Sequence, residues 1–319
     1  MKISVIMSAH NAEKYLREAL ESMLNQTLAD FEFIIIDDAS TDETQKIIKE
    51  YAAKDTRIKL ISNPINLGLT KSLNIGLNQA QGEYIARLDA DDLSEPERLQ
   101  KQYDFMEAQP EYALVGSWVK IIDQDGQELA EKKPPPDTKL IKFSFIFGKP
   151  CLWHSSIFFR RDKIAQIGNY NEEYKYSQDL NLYVRLLKKG KITNVPEFLT
   201  KHRLHADSIG RKNSEAQHNF YLKSIFEFVN SNYDQISWED LEIRDRARNQ
   251  KIKSLKGLIR ALKIDKHIYR SFLAKEKLDS ELKKQMSHIY QWKRGLMIKG
   301  YLKNRVPGFY KRLKRYSGK

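Results

Sequence analysis

Gly82-Glu83-Tyr84-Ile85-Ala86-Arg87-Leu88-Asp89-Ala90-Asp91-Asp92 is the stretch on which the fold turns. Its apolar run is too short for a helix and ends abruptly in three carboxylates within four residues, the pattern of a buried strand that delivers polar groups at its tip. Working outward toward the N-terminus, the same grammar repeats. Apolar runs at 3–7, 31–36 and 58–61 alternate with helical spacing at 12–26, 43–54 and 69–80. Continuous apolar strands alternating with helices predict an α/β fold, a mostly parallel sheet with helices on both faces.

In such sheets ligands bind beyond the carboxyl ends of the strands. Three of those ends are polar: Ser8-Ala9-His10-Asn11, Asp37-Asp38-Ala39-Ser40-Thr41-Asp42 and Asp89-Ala90-Asp91-Asp92. Together they predict one crevice. Asp37 and Asp38 suit either a base or ribose contact or the cap of the next helix, for which Ser40-Thr41-Asp42-Glu43 is a good sequence. Asp89, Asp91 and Asp92 repel one another unless a cation or partner sits among them. Hard oxygen ligands favour Mg²⁺ or Mn²⁺, which, shared with a diphosphate, stabilises charge on a leaving nucleoside diphosphate. A solvated acidic turn capping a helix near Glu95-Pro96 is the plainer use of the same residues.

The 319 residues, 41% of them hydrophobic, suffice for one large domain and a smaller addition. No uninterrupted apolar run reaches membrane-span length and the N-terminus lacks a signal-peptide layout, so a cytoplasmic protein is expected. The single cysteine, Cys151, fits a reducing compartment. Net charge is +13 but unevenly spread: residues 249–319 hold 21 Lys and Arg against 4 Asp and Glu, the rest 34 against 38. From Lys293 onward ten basic residues interleave with Trp292, Leu296, Ile298, Tyr301, Val306 and Phe309. Helical spacing at 251–273 and 278–302 predicts basic amphipathic helices, suited to an anionic membrane surface or to packing on the main domain.

With these motifs in order, including Asn66-Leu67-Gly68-Leu69 through Asn74-Ile75-Gly76-Leu77, roughly the first 210 residues resemble the family 2 glycosyltransferases of the GT-A fold, of the bacterial cell-surface polysaccharide type. The resemblance implies a nucleotide-sugar site in which Ser8, Ala9, His10 and Asn11 face the nucleoside, Asp38 contacts the base, and Asp89 and Asp91 form the DxD-type motif, with Asp91 on the metal. Trp153-His154-Ser155-Ser156 resembles the segment lining the donor and acceptor pocket, placing His154 there beside Gln178. Ser177-Gln178-Asp179-Leu180 resembles the acidic helix start whose aspartate, Asp179, takes the acceptor hydroxyl's proton in an inverting displacement. Gln178 and Asn181 stand where acids are frequent, which bears on acceptor recognition. His202-Arg203-Leu204-His205-Ala206-Asp207-Ser208 resembles the closing motif, with His205 assisting the metal or facing phosphate. Lys71 and Arg87 fall near the crevice and suit phosphate contact or structural roles alike.

The expected organisation is a catalytic domain at 1–210, nucleotide-sugar part to about 116 and acceptor part beyond, then a basic helical extension at 211–319. The expected donor is a nucleotide-diphosphate sugar, UDP above others, and the expected acceptor a glycan or lipid-linked hydroxyl reached by a peripheral enzyme at the inner face of the membrane. Nucleic-acid binding through the basic segment is the rival from another class, but no nucleic-acid module is present and the acidic strand ends would repel a polyanion, so no nucleic-acid partner is expected. A nucleotidyltransferase also gathers carboxylates around Mg²⁺, but normally has a Gly-rich loop after its first strand, where Ser8-Ala9-His10-Asn11 stands instead.

Overall fold

Every residue of Phe31–Asp37 is buried, which a strand achieves only when both its faces are covered. The computed structural model describes residues 1–148, 151–205, 214–307 and 310. Strands β1 (Ile3–Ala9), β2 (Phe31–Asp37), β3 (Ile58–Ser62) and β4 (Tyr84–Arg87) alternate with helices α1 (Glu13–Leu24), α2 (Thr44–Ala52) and α3 (Leu69–Gln79). The strands lie in the order β3-β2-β1-β4, all parallel, with Ile3 opposite Phe31 on one side and Tyr84 on the other. Helix α1 buries Tyr15, Leu16, Ala19, Leu20 and Met23, the i, i+4 face that its spacing predicts. Leu16, Ala19, Leu20 and Met23 join Val5, Met7, Phe33 and Ile35 in the main core.

Beyond β4 the pattern changes. The chain forms β5 (Leu93–Ser94), α4 (Arg98–Ala108), β6 (Tyr112–Ile122), β7 (Glu128–Lys132), α5 (Thr138–Phe147), a 3-10 turn at His154–Ser156, β8 (Phe158–Arg160), α6 (Arg161–Ala165), α7 (Gln178–Leu186) and β9 (Lys191–Arg203). The sheet continues β4-β8-β6-β9-β5, and β8 enters it antiparallel to both neighbours. Strand β6 pairs with β8 through Leu114 and Val115 and with β7 through Val119 to Ile122, while β9 runs parallel along its other edge. The result is a Rossmann-like α/β sheet of the GT-A kind, with the turn carrying His154 and Ser155 beside the tip of β4.

The chain divides into two compact units, Met1–Ile141 with Pro150–Tyr221, and Lys142–Lys149 with Leu222–Lys319. The expected boundary at 210/211 lies outside the described residues. The second unit contains most of α5 and α8 (Ser214–Asn232), with α9 (Trp238–Arg248), α10 (Leu255–Lys275) and α11 (Ser280–Arg305). Helices α9, α10 and α11 start on side-chain caps, the Ser237, Ser254 and Asp279 oxygens accepting from the N–H of Asp240, Gly257 and Leu282. Inside the unit, Tyr269 and Tyr290 stack at 3.8 Å between ring centres, and a buried Arg244 donates from Nε to Asp265 at 2.8 Å. Trp292, Ile298 and Val306 are exposed on or just after α11. No helix among the described residues is long and apolar enough to cross a membrane.

Candidate active site

The ends of β1 and β2 are tied to each other before they can meet a ligand. Asn11 and Ala39 both take left-handed backbone angles, φ 50 and 56°, which turn the chain sharply off the strand tips. The two loops then exchange hydrogen bonds. Asn11 N–H donates to Ser40 Oγ, Thr41 N–H to Asn11 Oδ1, Glu13 N–H to Asp42 and Glu43 N–H to Glu13. Thus the Ser40-to-Glu43 run helps cap α1 as well as its own helix, where Asp42 also accepts from Thr44 N–H. His10 donates from Nδ1 to the Asp38 carbonyl at 2.8 Å, and Ser8 and Ala9 stand beside Ile36 and Asp37 in register.

Asp37 and Asp38 turn their carboxylates inward. Asp37 accepts from Ser40 N–H and Gln45 Nε2. Asp38, 2% exposed, accepts at Oδ1 from Asn63 Nδ2 at 2.7 Å and Leu67 N–H at 2.8 Å, and at Oδ2 from Gly68 N–H at 2.8 Å. Burial pushes this carboxyl up, but those donors outweigh it and hold the group below the ordinary aspartate value. Asp38 therefore fastens the loop that enters α3.

At the tip of β4 the carboxylates of Asp89, Asp91 and Asp92 lie with ligand oxygens within 4.8 Å of one another. Each has a different protein partner. Asp89 is paired with the buried Arg87 and accepts from Ser155 Oγ at 2.5 Å. Burial raises its pKa, but the Arg87 charge and hydrogen bond overcome this and hold it well below the usual range. Asp91 accepts from His205 Nε2 at 2.7 Å; burial and the neighbouring acids nevertheless raise its pKa. Asp92, fully buried, accepts from Arg203 N–H and His202 Nδ1. Burial works against charge on His202, but Asp92 raises it to about 9, so the imidazole is cationic at neutral pH. The Arg203 guanidinium donates to the Asp91 carbonyl and to Glu18 and lies 4.7 Å from the Tyr15 ring centre. A set of hard oxygens that close, compensated on its outer side by cations, fits Mg²⁺ or Mn²⁺. Ala206, Asp207 and Ser208 of the closing motif lie outside the described residues.

The second half of the site comes from the 3-10 turn and α7. Arg98, buried under β4, donates to the carbonyls of Arg87 and Ile157 and to Gln102, which in turn donates to the Ser156 carbonyl. That ladder fixes the turn carrying His154 and Ser155 against Asp89. His154 and the Tyr170 hydroxyl are hydrogen-bonded at 2.7 Å; burial and then the Arg87 charge keep the imidazole neutral. Ser177 starts α7 from a left-handed φ of 51°, and Gln178 is buried behind it. Asp179 follows, accepting from Leu180 N–H at 2.8 Å. Burial raises its pKa, with Asp89 adding and Arg87 opposing, so Asp179 shares the field of the Asp89 cluster.

The structure thus brings Asp89, Asp91, His205, His154 and Asp179 into one neighbourhood, while Asp38 stands at the tip of β2 bound to the loop that enters α3. The sequence reading left Tyr170, Arg203 and the central position of Arg87 unassigned. Arg87 carried a signal, a cation inside an apolar strand; Tyr170 did not.

A family model for Glycosyl transferase family 2 matches residues 4–168. The chain belongs to this family. It is 41% identical over 206 residues to an uncharacterized glycosyltransferase of Methanocaldococcus jannaschii, covering 63% of this chain and 70% of that one. It is 38% identical to the putative glycosyltransferase EpsE of Bacillus subtilis, over 66% of this chain and 76% of that one. The O-antigen biosynthesis glycosyltransferase WbnJ of Escherichia coli is 33% identical, over 71% and 89%. Among solved structures, S. aureus TarS in complex with UDP-GlcNAc aligns over 96% of this chain and 92% of that one, with TM-score 0.62 and 19% identity, a likeness of fold. As a family 2 member the chain is a glycosyltransferase.

Proposed function

We propose that this glycosyltransferase moves a sugar from a UDP-sugar to a hydroxyl of a glycan or lipid-linked acceptor, with metal assistance and inversion, in surface polysaccharide synthesis. The observation that carries this reading is the pairing of unlike acids in one site: a triad at Asp89, Asp91 and Asp92 with its own compensating cations, and a separate acid, Asp179, whose burial raises its basicity. O-antigen biosynthesis in WbnJ's name supports the acceptor class, and UDP-GlcNAc in the TarS complex the donor class.

In this mechanism the strand ends of β1 and β2 cradle the nucleoside, with Asp38 holding the Leu67–Gly68 loop and contacting the base. Asp91, with His205 beside it and Asp89 nearby, would hold Mn²⁺ or Mg²⁺, which when bound supplies Lewis-acid stabilisation of the departing diphosphate. Asp179 accepts the acceptor's proton as the new bond to the anomeric carbon forms and the bond to the β-phosphate oxygen breaks. Attack opposite the leaving group inverts the anomeric centre. His154 and Gln178 line the pocket. The basic helices, with Trp292 and Ile298 exposed, lie on anionic lipid and bring the site to lipid-linked acceptors as a peripheral protein of the inner membrane face.

The test is UDP release from UDP-sugars with Mn²⁺ present, with a lipid-extract acceptor, and proton NMR of the product's anomeric configuration. Transfer with inversion that chelation abolishes supports the reading. Retention of configuration, or turnover unaffected by chelation, refutes it.

A further inference from the structure

Tyr15 is buried on α1 but stands apart from the main core that Leu16, Ala19, Leu20 and Met23 of the same helix join. Its hydroxyl is buried and, among the described residues, has no hydrogen-bond partner. What the ring does touch is the far end of β9. The Arg203 guanidinium lies over it, 4.7 Å from the ring centre, and the His205 imidazole meets it at 5.0 Å between centres with the planes inclined by 49°. One turn further along α1, Glu18 accepts from Arg203 Nη2 at 2.7 Å. Helix α1 thus offers the end of β9 an aromatic face and a carboxylate from one side.

Both residues that rest on Tyr15 turn to Asp91. Arg203 Nε donates to the Asp91 carbonyl at 3.0 Å, and His205 Nε2 to its carboxylate at 2.7 Å. The main chain and the side chain of Asp91 are therefore held by two groups with a shared support, while the Asp91 side chain stays 31% exposed and open to a ligand. His205 lies beyond the end of β9, so its imidazole is aimed by what it packs against rather than by the sheet. Helix α1 also starts at the nucleoside end of the crevice, where Asn11 and Glu13 are tied to the loop after β2 and Tyr15 N–H donates to the Ala12 carbonyl. A single helical turn joins that loop to the ring beneath His205.

We propose that Tyr15 is a positioning residue: the face of its ring sets His205 and Arg203 against Asp91, and so sets how strongly a divalent cation adds to nucleotide binding. This rests on the metal-site reading above.

Wild type, Y15F, Y15L, Y15M, H205A and the double variant of Y15L with H205A are titrated calorimetrically with UDP, with and without Mn²⁺. The quantity read is the gain in UDP affinity on adding Mn²⁺. Y15F keeps the ring and is expected to keep that gain within about twofold. Y15L and Y15M keep apolar bulk without the ring; they are expected to bind UDP in the absence of metal within about twofold of wild type and to lose roughly tenfold of the gain. Y15M supplies a second, unbranched side chain should Y15L not fold. Adding H205A to Y15L is expected to cost less than the product of the two single losses, because the two side chains act as a unit. A residue that only filled space would lower the thermal midpoint of Y15L and leave the gain intact, and that result overturns the proposal. So does a loss in Y15F as large as in Y15L, or single losses that multiply in the double variant. A wild type that binds UDP with no gain from Mn²⁺ refutes the metal-site reading, and this inference with it.

Discussion

Asp38 and Asp179 are both acids of the proposed site, yet their surroundings differ. Asp38 is held by Asn63, Leu67 and Gly68 and stays a fixed anion. D38A leaves buried N–H groups bare and is expected to lose about 2–4 kcal/mol of stability in urea unfolding; a midpoint within error of wild type would show that the loop holds itself. Asp179 has a raised pKa, as a proton acceptor needs. D179N is expected to lower turnover by roughly 10²- to 10⁴-fold while leaving UDP affinity unchanged, and an equal loss of affinity would assign it to donor binding instead. Glu32 supplies a pH dependence remote from the chemistry. It is buried in β2, accepting from Ser4, Gln81 and Lys59; burial raises its pKa, but the three donors outweigh that and lower it. A carboxyl lowered on folding contributes stability above its unfolded value, lost as pH falls through the folded one. E32Q is therefore expected to lose less stability than wild type between pH 7 and pH 3, and parallel curves for the two proteins would contradict this.

At the scale of elements, Gly82 decides how β4 enters the sheet. A Cβ there would come within 2.5 Å of the Ser4 nitrogen and 2.6 Å of the Ile3 carbonyl carbon, both backbone atoms that cannot swing aside. G82A is expected to cost about 1–3 kcal/mol or more through overpacking, read as a shift in thermal midpoint; an unshifted midpoint would mean that the strand relaxes freely. The parallel half of the sheet was legible because β1 to β4 are continuous apolar runs between amphipathic helices. Expected and observed ends differ by only a few residues, as for α1, expected at 12–26 and found at Glu13–Leu24. Strands β5 and β8 were not legible. They are two and three residues long and exist because longer partners pair with them, a tertiary cause that local pattern does not carry. The site was legible in the same measure. Acids at strand tips announce themselves, but the inward turn of Asp38, the tie between His154 and Tyr170, and the contact of Tyr15 with His205 depend on partners distant in sequence.

On the scale of the whole molecule, the chain separates its charges. Residues 249–319 carry 21 basic against 4 acidic groups, while the rest is slightly acidic and holds the carboxylate site. Each basic group near an anionic bilayer contributes about 1 kcal/mol, screened by salt. The full chain is expected to float with phosphatidylglycerol vesicles but not with phosphatidylcholine, to release in high salt, and to bind more weakly as W292A. Flotation indifferent to lipid charge would remove the membrane role while leaving the catalytic reading intact. That reading meets its most direct trial in calorimetric titration of wild type, D91A and D179N with UDP, with and without Mn²⁺. The account predicts UDP binding strengthened by Mn²⁺ in wild type and D179N, and no metal-dependent gain in D91A. Metal-independent binding of equal strength in all three proteins would contradict it.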